Sequence, residues 1–314
     1  MFLVNLFLFL FSLFILIKSA EYAVIYSSKI ARVFGISEFI VSFFIISIIS
    51  TFPEATVSIM SAFNGIPEFG LGTLLGSNVA DLSLVFGIVA LASFRGIKVK
   101  SEILRNDLFY LVLLLVPILL GFDGHLSRTD GVLLILSGVV FLATLSIQSK
   151  MFRKKFNNAK DHKWIKNLFL LILSIGFLIV GAYYTMKFGV DLANDVHIPP
   201  YLIALTMVSI GTCMPELIFS LKAVRTNHDQ LALGDILGTV IIDATILVGL
   251  LAIISPFDFN PSIVRITGVM MLIAGVLVLV FIKSGKVLTR REGLYLLLFY
   301  LFSILLELAV NNLF

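Results

Sequence analysis

The chain has 314 residues, of which 59% are hydrophobic and 13% charged, and its net charge is +4. Soluble domains carry about a quarter charged residues, so this composition excludes an ordinary water-soluble fold and points to an all-α membrane protein. The single cysteine, Cys213, excludes an internal disulfide and any multi-cysteine metal site.

Apolar runs of about 20 residues, enough to cross the hydrocarbon core as helices, recur from end to end. Ten spans are expected, at about 2–27, 37–63, 69–93, 103–121, 129–147, 166–190, 199–225, 231–254, 262–283 and 291–312. The first run, Phe2 to Ile17 followed by Lys18-Ser19-Ala20, has no basic start and exceeds the apolar core of a secretory signal, so it reads as a span. Basic residues gather in alternate connections: Lys29 and Arg32, Arg95 to Lys100, Lys150 to Lys166, Lys222 and Arg225, and Lys283 to Arg291. The other connections hold little beyond Arg128 and Arg265. The positive-inside rule makes the odd-numbered connections cytoplasmic and puts both termini outside. The net charge is therefore a mark of topology and not of nucleic-acid binding. His125, His162, His197 and His228 fall in or beside loops and read as surface residues.

Residues 148–165 form the one long polar connection, read as a cytoplasmic linker between a first half, 1–147, and a second, 166–314. Each half holds five spans. An odd number forces the second half to enter the membrane in the opposite orientation, so the expected fold is ten transmembrane helices in two inverted five-helix repeats.

A shared motif carries the repeat. Ser50-Thr51-Phe52-Pro53-Glu54 and Gly76-Ser77-Asn78-Val79-Ala80-Asp81 recur 162 residues later as Thr212-Cys213-Met214-Pro215-Glu216 and Gly238-Thr239-Val240-Ile241-Ile242-Asp243. Glu54, Asp81, Glu216 and Asp243 fall near the middle of their spans, where a carboxylate costs roughly 2.5–3.5 kcal/mol on insertion scales. Helical spacing lines Ser47, Thr51, Glu54 and Ser58 along one stripe, Thr73, Ser77 and Asp81 along a second, and Asp235, Thr239 and Asp243 along a third. Pro53 and Pro215 deprive the carbonyls of Ile49 and Gly211 of their helical partners and are expected to expose the nearby carbonyls of Ser47 and Ser209. Carboxylates, hydroxyls and carbonyls are hard donors that suit Ca²⁺, Na⁺ or Mg²⁺ but not zinc or copper. One acid could serve merely as polar glue between helices; four, with two prolines at matched positions, demand a site. Gly72/Gly76 and Gly234/Gly238 read instead as small-residue packing faces.

The pattern Gly-Thr-Ser-x-Pro-Glu followed by Gly-Ser-x-x-x-Asn/Asp, once per half, resembles the alpha-repeat signature of the calcium/cation antiporter superfamily. The chain is similar over essentially its whole length to the prokaryotic sodium/calcium exchangers, with alpha-1 at 47–81 and alpha-2 at 209–243. Pro before Glu matches the sodium/calcium branch, since the proton/calcium branch usually reads Gly-Asn-x-x-Glu. The resemblance implies ion sites between spans two, three, seven and eight. It makes Glu54 and Glu216 the central Ca²⁺ ligands, with Ser50 and Thr212 as partners. Thr51 and Cys213, with the carbonyls of Ser47 and Ser209, fall at peripheral Na⁺ sites, while Ser77, Asp81, Thr239 and Asp243 complete the middle site. Ser50 replaces the usual threonine, Ile49 a glycine, Cys213 a serine and Asp81 a common asparagine.

The expected function is a non-enzymatic secondary antiporter that exchanges Ca²⁺ for Na⁺ by alternating access. Cys213, a soft and poor sodium ligand, and the additional acid Asp81 favour a proton-coupled divalent-cation antiporter as the alternative. A passive channel has no need of paired proline-broken helices. An intramembrane aspartyl protease using Asp81 and Asp243 finds only Gly234-Asp235 as a weak signature. No cofactor is expected beyond transported Ca²⁺ and Na⁺, or H⁺. The expected partners are the lipid bilayer and inorganic cations, with no nucleic acid and no obligate protein partner. The simple layout suits a prokaryotic plasma membrane.

Overall fold

The computed structural model describes residues 1–33, 50–93, 95–99, 107–149 and 164–310. Ser47, Ile49, His162 and linker residues 150–163 lie outside them. In chain order the described helices are α1 (Phe2–Val33), α2 (Phe52–Phe63), α3 (Pro67–Ala92), α4 (Asp107–Leu120), α5 (Arg128–Ser149), α6 (Trp164–Asp195), α7 (Pro200–Arg225), α8 (Asp229–Ile254), α9 (Ile263–Gly285) and α10 (Arg290–Val310). Seven of them, α1, α3 and α6 to α10, hold stretches long and apolar enough to cross a membrane. The apolar part of α4, Leu108–Leu120, is shorter. The expected spans at 37–63 and 103–121 begin in residues outside those described.

The 162-residue spacing extends from the motif to the elements themselves. α1 and α6 begin at that offset, as do α5 and α10. Left-handed residues that close helical turns recur with it: Gly65 (φ 73°) with Asn227 (φ 63°), and Gly124 (φ 86°) with Lys286 (φ 55°). Asparagine is among the few non-glycine residues that enter this region readily, which explains why the turn survives in the second half.

Both α1 and α6 outrun their expected spans, 2–27 and 166–190. No glycine or proline breaks the polar ends of these runs, so the helices continue to Val33 and Asp195. At 1.5 Å per residue each is about 48 Å long, more than the hydrocarbon thickness, and must tilt or project from it. The two lie side by side. A Cβ at Gly181 would stand 2.9 Å from the Leu16 nitrogen, Thr185 Oγ1 donates to Ser12 Oγ at 3.3 Å, and Asn5 Nδ2 donates to Asp195 Oδ2 at 2.7 Å. Phe9, Leu13, Leu16, Leu178 and Met186 join a second core with Val57 of α2, Phe69 of α3 and Val208 of α7, distinct from the larger one that α3, α8 and α9 share.

Two short antiparallel ladders add strands that the all-α reading did not include. β1 (Ile97–Lys98) pairs with β4 (Val287–Leu288), and β2 (His125–Leu126) with β3 (Phe257–Asp258). Each joins the first half to the second, and β3 and β4 flank α9, so the halves are tied near both of its ends. Arg95 strengthens the first tie with two hydrogen bonds to Asp229, Nη2–Oδ1 at 2.7 Å and Nη1–Oδ2 at 2.9 Å. His125 Nδ1 lies 2.7 Å from Asp258 Oδ1 at the second. His125, His197 and His228 are all surface residues, as expected.

The halves also exchange partners. α3 crosses α10 where a Cβ at Gly87 would meet the Gly293 carbonyl at 2.9 Å, and α8 crosses α5 where a Cβ at Gly249 would meet the Gly131 carbonyl at 2.6 Å. Gly87 and Gly249, like Gly131 and Gly293, are 162 residues apart. Gly72 and Gly76 work the same way, setting α3 against Tyr201 and Leu205 of α7. Since a backbone carbonyl cannot step aside as a side chain can, Gly249→Ala and Gly87→Ala are expected to lower stability by about 1–3 kcal/mol each. At Gly176 an added Cβ meets nothing within 4 Å, and Gly176→Ala is expected to be neutral or slightly stabilising. Melting temperatures in detergent check this; equal effects at all three positions would contradict the close-approach account.

Candidate functional site

Each half-motif breaks its helix at the residue before the proline-bearing turn. Thr51 (φ −72°, ψ −2°) and Cys213 (φ −74°, ψ −1°) leave ideal helical geometry, and new helices begin at Phe52 and Met214. Pro53 and Pro215 then occupy the first turn, where a missing N–H costs nothing. Glu54 and Glu216 follow in the same turn, where the positive end of the helix dipole favours a carboxylate. The prolines thus act by starting a half-helix under each glutamate.

Asp81 and Asp243 sit on a different distortion that the sequence did not announce. α3 and α8 pass through π-helical turns at Ala80–Val85 and Ile242–Leu247, again 162 residues apart. A hydroxyl attends each: Ser83 Oγ donates to the Val79 carbonyl, and Thr245 Oγ1 to the Ile241 carbonyl at 2.5 Å. Such back-bonding to the carbonyl four residues earlier gives the ladder a local alternative partner. A third π turn, Ala204–Val208 in α7, is followed by Ser209, whose hydroxyl donates to the Leu205 carbonyl.

The broken helices and π turns bring the predicted acids into one interior region. Glu54, Asp81, Glu216 and Asp243 are 0% exposed, and so is Asp235, which sequence reasoning placed on a stripe but left out of the site. Like-charge repulsion links Glu54 with Asp81, Glu216 and Asp243, and Asp235 with Asp81 and Glu216. Hydroxyls cross the halves to meet two of these acids. Ser50 Oγ donates to Asp235 Oδ1 at 3.2 Å and lies 3.2 Å from Thr239 Oγ1, and Ser77 Oγ donates to Asp243 Oδ2 at 3.1 Å. Both oxygens of Glu54, Asp81 and Glu216, with Asp235 Oδ2 and Asp243 Oδ1, have no hydrogen-bond partner among the described residues. The amide of the adjoining Asn78, also 0% exposed, is equally without one.

Two expected donors are differently engaged. The Ser209 carbonyl, expected to be exposed, accepts the Cys213 N–H at 3.1 Å and the Thr212 hydroxyl at 3.1 Å, because the helix stays hydrogen-bonded up to the break. The Cys213 thiol donates to the Ser77 carbonyl at 3.5 Å, stitching α7 to α3. Thr51, 2% exposed, lies at the matching break in the first half. Among the described residues no three His, Cys, Asp or Glu side chains converge closely enough to hold one metal ion by themselves. A cation taken here must therefore also use hydroxyl, amide and carbonyl oxygens. That donor set suits hard cations.

The sequence profile of the family described as "Sodium/calcium exchanger protein" matches the chain twice, over residues 4–147 and 166–309, one match per half. The chain belongs to that family. The family member is similar to the sodium/calcium exchanger MaX1 of Methanosarcina acetivorans, 26% identical over 95% of this chain and 96% of the relative. It is also similar to the inner membrane protein YrbG of Escherichia coli, 29% identical over 79% of each chain. Its fold matches the solved structure of the sodium-calcium exchanger NCX_Mj soaked with 2.5 mM Na⁺ and 10 mM Sr²⁺, with a TM-score of 0.70, 25% identity and coverage of 97% of this chain and 99% of that one. The chain is accordingly a multi-pass membrane protein of a cation-exchange family, a transport protein.

Buried carboxylates without partners oppose folding unless something neutralises them. With Na⁺ and divalent cations removed, Glu54→Gln and Glu216→Gln are therefore expected to raise stability, by about 1–4 kcal/mol. Melting curves in chelator-treated, choline-based buffer check this. A loss of stability would mean that the carboxylates have protein partners after all.

Proposed function

We propose that this family member is a secondary antiporter that moves Ca²⁺ against Na⁺ by alternating access. The observation that carries the reading is the set of five carboxylates, all 0% exposed, gathered on two proline-broken helices and two π-turned helices. Glu54 and Glu216 would hold Ca²⁺ between them, each at the N-terminus of its half-helix, with Ser50 and Thr212 beside them. Ser77, Asp81, Thr239 and Asp243 would form the middle site. Thr51 and Cys213, with the carbonyl of Ser47 and that of Ser209 once the Thr212 hydroxyl turns away from it, would serve the flanking Na⁺ positions.

The same reading takes the chain as ten transmembrane helices in two inverted repeats, 1–147 and 166–314. Residues 148–165 and the basic connections lie in the cytoplasm of a prokaryotic cell, with both termini outside. The paired offsets of helices, turns and glycine crossings support a two-fold relation between the halves. α1 and α6, which pack on each other and meet α2, α3 and α7 at a core that includes Val57, Phe69 and Val208, would slide against the rest to open each side in turn. Empty, the carboxylate cluster is costly; filled, its net charge is smaller, so the barrier to switching is low only with cations aboard.

A proton-coupled divalent-cation exchanger is the second reading, and two observations favour it. Cys213 spends its thiol on the Ser77 carbonyl, and Asp235 adds a fifth acid that a proton can neutralise. In proteoliposomes, Ca²⁺ uptake is expected to require an outward Na⁺ gradient and to vanish in Glu54→Gln and Glu216→Gln. Uptake driven by a pH gradient with no Na⁺ present would establish the proton reading, and uptake independent of any gradient would overturn antiport itself.

A further inference from the structure

The cluster on α2, α3, α7 and α8 does not hold all the acids inside the helices. Glu307, in the last turn of α10, is 2% exposed, and Thr267 Oγ1 from the π turn Ile263–Gly268 of α9 donates to its Oε1. Tyr300 and Ser303 precede it at helical spacing, so the three share one face of an otherwise apolar helix. That face lines a pocket of about 10 Å³, room for about one water molecule, between α3, α7, α9 and α10.

The cavity walls facing Glu307 are Gly76 and Val79 of α3, Leu205 of α7, and Thr267 and Met270 of α9, none of which carries a charge. Tyr300 is the other titratable group in the lining. Arg265 turns outward to the Phe122 carbonyl at 3.1 Å, Glu292 caps its own helix through Thr289, and Asp81 and Glu216 belong to the cluster. The Tyr300 hydroxyl, in a residue 5% exposed, has no hydrogen-bond partner among the described residues. Burying such a group unsatisfied costs about 1–3 kcal/mol, a penalty that water in the cavity removes.

The cavity also adjoins the site. Gly76 directly precedes Ser77, whose hydroxyl serves Asp243 and whose carbonyl receives the Cys213 thiol.

We propose that Glu307 is a proton-binding site outside the cation cluster, exchanging its proton with water in this cavity, and that its protonation tunes cation exchange. The step is balanced by water alone: a hydronium ion gives its proton to the Glu307 carboxylate and leaves as water. One carboxylate with three hydroxyls is a poor cage for Ca²⁺, which takes six to eight oxygens. A hydroxyl both donates and accepts, so Thr267 can serve the carboxyl in either protonation state. Only the effect on transport rests on the exchange reading above.

Infrared difference spectra of the purified full chain, titrated with pH in Na⁺- and Ca²⁺-free buffer, test the site without reference to transport. A titrating carboxylic-acid band is expected in the wild type, lost in Glu307→Gln, retained but shifted in Glu307→Asp and Tyr300→Phe, and retained in Glu54→Gln. A Glu307→Gln spectrum identical to wild type, or a band displaced by Na⁺ at constant pH as strongly as by protons, would overturn the proposal. Should Glu307→Gln fail to fold, the Glu307→Asp shift decides. In proteoliposomes Glu307→Gln is expected to keep Na⁺-dependent Ca²⁺ uptake while losing its pH dependence; an unaltered pH profile would overturn the tuning role. Absence of exchange in the wild type would instead sink the transport reading and leave the infrared result standing.

Discussion

Five carboxylates withdrawn from water into the middle of a helical membrane protein set the terms for everything around them. Each would demand a counter-charge, and the described residues supply hydroxyls from Ser50 and Ser77 and the N-terminal ends of two half-helices. Those devices lower the cost of the charges without cancelling it, since a neutral donor or a helix end contributes about 0.5–2 kcal/mol against several for a buried ion. What remains has to come from outside. A fold that is incomplete until it takes up positive charge is the physical basis for coupling ion binding to conformational change.

The surrounding architecture follows from holding that cluster steady. Prolines open the helices below Glu54 and Glu216, and π turns carry Asp81 and Asp243. Glycines let α3 and α8 approach α10 and α5 almost backbone to backbone, giving a close-packed frame that resists deformation. α1 and α6 are joined to each other by Gly181, Thr185 and Asn5 and meet that frame at a second core with Val57, Phe69 and Val208. Two motifs from opposite halves build one site, because hydroxyls from the first half reach acids of the second.

Much of this was legible in the sequence, for reasons that differ by element. Hydropathy marks spans well, since every backbone polar group in lipid must be satisfied within a helix. The 162-residue spacing of Ser50–Asp81 and Thr212–Asp243 was visible in residue identity, and the family profile meets the same two halves. Small-residue spacing announced Gly72 and Gly76 as a packing face, and the structure sets it against α7. The π turns were not legible, because Ser83 and Thr245, which back-bond there, sit in helices whose composition is ordinary. Asp235 was passed over because its counterpart in the first half is Thr73, so a search for matched acids skipped it. Glu307 fell outside both motifs, and its one sequence signal was a lone acid in an apolar run. The carbonyl of Ser209 showed the limit of reasoning from proline alone: the helix kept its bonds up to the break, and the Thr212 hydroxyl took up what remained.

The central claim is that one set of buried carboxylates takes Ca²⁺ and Na⁺ in turn, and equilibrium binding tests it most directly. Radiolabelled Ca²⁺ titrated into the purified protein should saturate at one high-affinity ion per chain, be displaced completely by excess Na⁺, and disappear in the Glu54→Gln, Glu216→Gln double variant. Ca²⁺ binding that persists at saturating Na⁺, or that survives loss of both glutamates, would contradict the account.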